Sequence, residues 1–168
     1  MIPMLEPMVG EIQQEAAITK RVLERIPEDK LSWKPHPKSM SLGQLGLHIA
    51  TIPGAISKLA QQDEFDVAGA NFNPPAPADT AEILAALEAS VQASEQYLRG
   101  LSESQAAGNW RLTFKGKEAF TVPRTAMLRS IMLNHWYHHR GQLSVYLRLL
   151  EVPVPVIYGR SADESPFG

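Results

Sequence analysis

The chain contains no cysteine, which excludes disulfide bonds, thiolate metal ligands and a cysteine nucleophile. Any thiol chemistry would therefore need a thiol supplied from outside the chain. Long apolar runs are also missing, because the most apolar stretches are broken at His48, Pro53 or Asn134. A transmembrane helix needs about 20 consecutive apolar residues, so no segment is expected to cross a membrane.

Charge of one sign is not in excess. The chain has 18 Asp and Glu against 16 Lys and Arg, a formal net charge of −2, with acids and bases mixed along its length. Nucleic-acid-binding proteins usually carry a basic stripe; none is visible, so no nucleic-acid partner is expected. Residues 1–8 lack the basic segment and long apolar core of a signal peptide. We therefore expect a soluble cytoplasmic protein.

The composition is that of a globular protein. Hydrophobic residues make up 44% of the chain and charged residues 20%, values that indicate neither disorder nor a coiled coil. A chain of 168 residues is long enough to bury most of its apolar surface. We expect one domain covering residues 1–168.

Apolar residues recur at three- and four-residue steps in four segments, the pattern of amphipathic helices. Proline and glycine mark several of the ends. The predicted helices run from Leu5 to Ile26, from Ser41 to Leu59, from Asp79 to Gly100 and from Pro123 to about Leu150.

Two of these helices have capping signals. Ser41 and Gln44 have the spacing of a capping box, and so do Asp79 and Glu82. Pro53 is expected to kink the second helix, because a proline inside a helix removes one backbone hydrogen bond.

The segments between the helices predict an all-α four-helix bundle with one small β-hairpin before the last helix. Residues 63–79 are rich in proline and asparagine and predict a long loop. Residues 110–122 alternate between apolar and polar about Lys115-Gly116, which predicts the hairpin. Residues 152–159 are expected to extend back along the bundle. The connections are long enough to allow crossovers, so these patterns leave the topology open.

Histidines on predicted inward faces suggest a metal site. His135 and His139 are four residues apart on one helix, so their rings lie on the same face. His48 lies between Leu45 and Ile52 on the inward stripe of another helix. A buried imidazole with an unpaired nitrogen costs about 1–3 kcal/mol, and one divalent ion would satisfy all three. Three ligands leave a coordination position open, as in catalytic metal sites.

Other assignments of these residues remain open. Each histidine could be an ordinary hydrogen-bonded core residue, and His138 could pair with His135 at the three-residue spacing. We prefer His138 as a neighbour of the ligands or an interface residue, and His36 as a solvated loop residue. Gln142 shares the predicted inward face and could orient a ligand, or could bond a helix carbonyl as a buried amide.

Arg140 follows the second helical histidine but is predicted to point away from the ligand stripe. We expect it to hold the hairpin or the C-terminal tail through a salt bridge. No acidic residue near the three histidines stands out as a general base.

The segments Ser41–His48 and His135–Gln142, with Leu31–Pro35 upstream, resemble the DinB family of four-helix-bundle metalloproteins, which includes the YfiT-like proteins. The resemblance extends over nearly the whole chain and implies that the metal ligands are His48, His135 and His139. It also implies an up–down–down–up bundle with a long crossover, and a homodimer. Family members with established activities are metal-dependent thiol transferases or isomerases that use bacillithiol, mycothiol or glutathione.

The leading functional hypothesis is a metal-dependent enzyme that transfers a low-molecular-weight thiol to an electrophile. Three imidazoles suit Zn²⁺ or Ni²⁺, with Fe²⁺ as a further option. One alternative is hydrolysis by metal-bound hydroxide. Another is a non-catalytic protein that binds a metal or small ligand in a stress response. The expected partner is a small molecule in each case.

Overall fold

The computed structural model describes residues 2–167. Its helices are α1 (Glu6–Leu23), α2 (Leu42–Leu59), α3 (Thr80–Gly100), α4 (Glu103–Ala107), α5 (Arg124–Met127) and α6 (His135–Leu149). A π-helical stretch, Leu128–Asn134, joins α5 to α6, so the predicted fourth helix is continuous over residues 124–149. The strands are β1 (Glu64–Asp66), β2 (Asn109–Phe114) and β3 (Lys117–Pro123).

The N-terminal caps of α2 and α3 differ from each other. At α2 the predicted capping box is confirmed, since Ser41 Oγ accepts from the Gln44 N–H and the Gln44 side chain accepts from the Ser41 N–H. At α3 the predicted box is only half right. The Asp79 carboxylate accepts from the Glu82 N–H, but the Glu82 carboxylate accepts from the N–H of Ala78 instead of Asp79.

Helices α2 and α3 run parallel. The Gly54 N–H donates to Ser90 Oγ, and the Tyr97 hydroxyl donates to the Ala60 carbonyl. Residue numbers therefore increase in the same direction along both helices. A parallel pair needs a connection that returns along the full helix length, and residues 60–79 provide it. This is the predicted long crossover.

The remaining helix pairs complete the bundle. Contacts of Met132 with Ser57, and of Tyr146 with Met40, show that the last helix runs antiparallel to α2. The hydrogen-bonded pairs Gln13–Glu95 and Glu28–Thr80 show that α1 runs antiparallel to α3. The pairs Glu11–Arg129 and Thr19–Arg140 show that α1 runs parallel to the last helix. The order is therefore up–down–down–up, with α2 against the last helix on one side.

A three-stranded sheet closes one end. The predicted hairpin is confirmed: β2 and β3 pair antiparallel, and Lys115 and Gly116 form the turn with φ of 52° and 73°. The prediction of an unbroken loop over residues 63–79 is wrong, because β1 pairs parallel with β2. A three-residue strand is too short for a periodic signal, and the Asp66 carboxylate anchors it by accepting from both turn N–H groups.

The C-terminal tail packs on the bundle, as predicted. Val154 is buried, and Asp163 accepts its backbone N–H and pairs with Arg148. Within residues 2–167, no helix combines the length and hydropathy that a membrane crossing requires.

Candidate metal centre

His48, His135 and His139 meet in the groove between α2 and α6. The two α6 rings have centroids 4.5 Å apart, and the His48 ring lies 4.6 Å from that of His139 and 5.3 Å from that of His135. One nitrogen from each ring lies within 4.8 Å of the other two. The sequence prediction that separate segments bring these rings together is confirmed, while their role as ligands stays a prediction.

The helices place these rings for simple reasons. His135 and His139 are one helical turn apart at the start of α6. His48 lies one turn beyond Gln44, whose side chain caps α2 and donates to the Pro74 carbonyl. Those contacts fix α2 against the crossover loop, so His48 faces α6.

Burial keeps all three imidazoles neutral at pH 7. Each ring is half-buried. Burial, with the charges of His139 and His135, lowers the pKa of His48 to about 4. Burial is also the main cause of the lowered pKa of His135 and of His139. A neutral imidazole has a free lone pair, which metal coordination requires.

Gln142 selects the tautomer of His139. His139 Nδ1 lies 2.7 Å from Gln142 Oε1, an acceptor, so Nδ1 carries the proton. A hydrogen bond to the backbone of Ile131 opposes the lowering of the His135 pKa by burial, and His135 Nε2 faces His139. The Nε2 atoms of the two rings lie 2.7 Å apart.

That arrangement fits a metal ion. With Nδ1 of His139 bonded to Gln142 Oε1, its Nε2 is free to act as a donor to a metal beside His135 Nε2, and the lowered pKa of both rings disfavours an imidazolium there. A third imidazole, His48, points at the same place. Three neutral nitrogen donors without thiolate suit Zn²⁺, Ni²⁺ or Fe²⁺. The residues present therefore fit one divalent transition metal.

Gln142 and His138 lie beside the centre at the protein surface. Gln142 was predicted on the inward face, and this is wrong: it is exposed, because Leu143 takes the buried position on that turn. Its amide bridges two rings, since Nε2 lies 3.1 Å from His138 Nε2 while Oε1 contacts His139. His138 is also exposed, with its ring 5.0 Å from the His139 ring. His36 stays exposed in its loop, where Nδ1 accepts the Lys38 N–H.

Arg140 points to the opposite side of α6 from the site. It is buried and pairs with the buried Glu15 of α1. It also donates to Thr19 Oγ1 and to the Tyr158 hydroxyl, and its guanidinium lies over the rings of Tyr137 and Tyr158. The predicted salt bridge exists, but its predicted location is wrong: the acid is Glu15 of α1, whereas the tail contributes only the hydroxyl of Tyr158.

Sequence reasoning missed Glu15. The signal was present, because Ile12, Glu15, Thr19 and Val22 follow one another at three- and four-residue steps on the inward stripe of α1, and all four are buried. An acid on such a stripe calls for a buried partner. Arg140 is that partner.

A second concavity lies elsewhere. A groove of about 1170 Å³ runs between α1 and α3, on the side of the bundle opposite the histidines, and none of its lining residues is a histidine. The candidate site is therefore located by the three converging histidine nitrogens and not by the size of a groove.

Comparisons with known proteins agree with this fold. The chain is similar to the Bacillus subtilis protein YrdA, with 24% identity over 171 aligned positions that cover 100% of this chain and 96% of the relative. A crystal structure of a DinB-like protein, YjoA, from Bacillus subtilis has a TM-score of 0.69 at 24% identity, covering 92% of this chain and 100% of that one. A DinB-like protein from Bacillus cereus ATCC 10987 has a TM-score of 0.66 at 23% identity, covering 86% and 91%.

These structural likenesses establish the shared bundle architecture. The sequence model of the DinB family extends the match to residues 1–166, which include both histidine-bearing helices and the crossover between α2 and α3. On that match, the chain belongs to the DinB family.

Proposed function

We propose that this protein binds one divalent metal ion through His48, His135 and His139 and transfers a low-molecular-weight thiol to an electrophile. The observation that carries the proposal is the convergence of three imidazoles, with the Nε2 atoms of His135 and His139 2.7 Å apart and one nitrogen of His48 within 4.8 Å of both rings' donor atoms. Zn²⁺ or Ni²⁺ is the expected ion, with Fe²⁺ as a further option. The thiol reaction comes from the DinB resemblance.

The chain's own residues have distinct tasks in this proposal. The three imidazoles hold the ion without neutralising it, since all three are uncharged at pH 7. Gln142 keeps His139 in the tautomer whose Nε2 is free. When bound, the ion would lower the pKa of a thiol, so that thiolate is available at neutral pH. Half-burial of the rings leaves a path from solvent for a small molecule.

The surroundings favour thiol transfer over hydrolysis. Hydrolysis needs a positioned base that removes a proton from water. Within residues 2–167, the group of side chains whose donor atoms converge here consists of three histidines and includes no carboxylate. A thiol is a stronger acid than water, so it needs less help from a base.

Elemental analysis tests the metal centre. Protein purified without a His tag should contain about one equivalent of Zn, Ni or Fe. His135→Ala should lose it, because a ligand is removed. His36→Ala is the matched control, since this exposed loop histidine bonds only locally, and it should retain the metal. Equal metal content in His135→Ala and wild type would refute the centre.

A turnover assay tests the reaction. Metal-loaded protein is mixed with bacillithiol, mycothiol or glutathione and monochlorobimane; the sulfur forms a C–S bond, chloride leaves and the thiol proton goes to solvent. We expect a rate above the metal-free control. Metal binding without any such rate would contradict thiol transfer to this electrophile. Ester hydrolysis by the same sample would favour the hydrolase, and no reaction with either would favour a binding protein.

We also propose a homodimer, a cytoplasmic location and a single folded domain over residues 1–168. The dimer comes from the family resemblance; the other two come from composition. Light scattering after size-exclusion chromatography would test the dimer, with a monomer mass near 18.6 kDa as the contrary result. One cooperative unfolding transition would support the single domain.

A further inference from the structure

Acidic residues are missing from the two segments that build the candidate metal centre. Residues 30–62 contain α2 and its leading loop, and residues 119–150 contain the last helix. None of the chain's 18 Asp and Glu lies in either segment. The same two segments hold half of the 16 Lys and Arg, namely Lys30, Lys34, Lys38, Lys58, Arg124, Arg129, Arg140 and Arg148. The mixed charge of the whole chain conceals this bias.

Most of these cations are neutralised by acids from other segments. All four arginines make ion pairs, with Asp63, Glu11, Glu15 and Asp163 as their partners. Lys30 pairs with Asp29. Among residues 2–167, Lys34, Lys38 and Lys58 form no ion pair, so three lysines of these two segments are left without a direct acidic partner.

Two of the three lie at one end of the histidine groove. The Trp33 ring packs edge-on against Tyr146 with centroids 5.7 Å apart, and the Met40 carbonyl accepts the Tyr146 hydroxyl. The loop between these contacts carries Lys34 and Lys38, and both are exposed.

Tyr146 places that loop relative to the centre. It lies seven residues after His139, so it shares the same face of α6 about two turns farther along the groove. Pro35 and Pro37 restrict the backbone of the loop. The lysines are therefore held at a fixed end of the groove.

We infer that the small molecule that reaches the histidine centre is an anion, and that Lys34 and Lys38 bind its negative group at the Trp33–Tyr146 end of the groove. This inference rests on the proposed metal centre. The ion and both lysines are positive, and no acid from either groove-forming segment opposes them, so a carboxylate-bearing ligand is attracted and oriented. A neutral ligand of the same shape gains neither effect.

A matched pair of ligands tests the inference by binding alone. The protein is loaded with Co²⁺, and 6-mercaptohexanoate or its methyl ester is titrated while the sulfur-to-cobalt absorption band is followed; the longer chain lets the sulfur bind the metal while the carboxylate reaches lysines about two helical turns away. The ratio of the two dissociation constants is compared between proteins, which cancels the different acidity of the two thiols. In Lys34→Gln/Lys38→Gln the preference for the acid should fall about three- to tenfold.

Lys58→Gln is the control, because Lys58 equally lacks a direct acidic partner among residues 2–167 but lies ten residues beyond His48 on α2. It should leave the ratio unchanged. With wild type, about 0.5 M salt should weaken binding of the acid but not of the ester. An unchanged ratio in the double variant, an equal loss in Lys58→Gln, or salt-independent binding of the acid would each overturn the inference. Failure to bind Co²⁺ would overturn the metal centre, and this inference with it.

Discussion

Replacing Gln142 with methionine tests the tautomer argument at the centre. Gln142 Oε1 lies 2.7 Å from His139 Nδ1 and fixes the proton there. In Gln142→Met nothing from the protein accepts that proton. His139 then samples the other tautomer, whose Nε2 is protonated and cannot bind a metal. We expect weaker metal binding with the helix intact, because methionine is a good helix former.

The size of the effect follows from exposure. A net hydrogen bond contributes about 0.5–1.5 kcal/mol, and because Gln142 is exposed, water can replace part of its contact. The expected loss in metal affinity is therefore roughly two- to twelvefold, mostly below the 10–100-fold range typical of residues that hydrogen-bond to metal ligands. Removing His139 itself should cost far more.

Competition with a chromogenic chelator at pH 7 measures the affinity. Gln92→Met, at an exposed position of α3, is the matched control and should bind as wild type does. Gln142→Glu keeps an acceptor beside Nδ1 and adds negative charge, so it should bind at least as tightly as wild type. The reasoning would be refuted if Gln142→Met bound like wild type, or if Gln142→Glu were as weak as Gln142→Met.

Three further predictions concern stability. Burial, with the charges of the other two site histidines, lowers the pKa of His48 from 6.5 to about 4. Between pH 6.5 and pH 4, His48 therefore binds a proton in the unfolded chain but not in the metal-free folded protein. Stability should fall as pH drops from 6.5 to 4, by on the order of 1–3 kcal/mol after allowance for partial exposure; equal thermal-melt slopes in His48→Gln and wild type would contradict this. Arg140→Leu should lower the free energy of unfolding, measured in urea, by about 3–5 kcal/mol, because Glu15 is left buried and unpaired. Adding Glu15→Leu to this variant should recover part of the loss; a double variant whose loss equals the sum of the two single losses would be the contrary result. Gly116→Ala should destabilise by about 1–2 kcal/mol because φ is +73°, whereas Gly10→Ala, inside α1 with open space around it, should stabilise by about 0.5–1 kcal/mol; changes of the same sign would count against both.

Much of the fold was predictable because its signals are local. Three- and four-residue apolar spacing predicts the long helices, the Ser41–Gln44 box marks the start of α2, and Lys115-Gly116 marks the hairpin turn. The His135–His139 spacing predicts that two rings share a face. Each of these depends on residues within a few positions of one another, where backbone geometry alone fixes the outcome.

Other features had weaker local signals or none. The π-helical stretch over residues 128–134 directly precedes His135, yet no residue pattern marked it. Strand β1 exists through its pairing with β2 and the anchoring of Asp66. The burial of Glu15 depends on an arginine from the far end of the chain.

By itself, the sequence determined four amphipathic helices and two histidines stacked on one helical face, because those features follow from short-range periodicity. Only the tertiary structure decided that His48 meets them, that Gln142 stays at the surface while fixing His139, and that Arg140 turns to Glu15. The reason is physical: which side chains meet between helices depends on the rotation and offset of whole elements, and these are set by packing between distant segments.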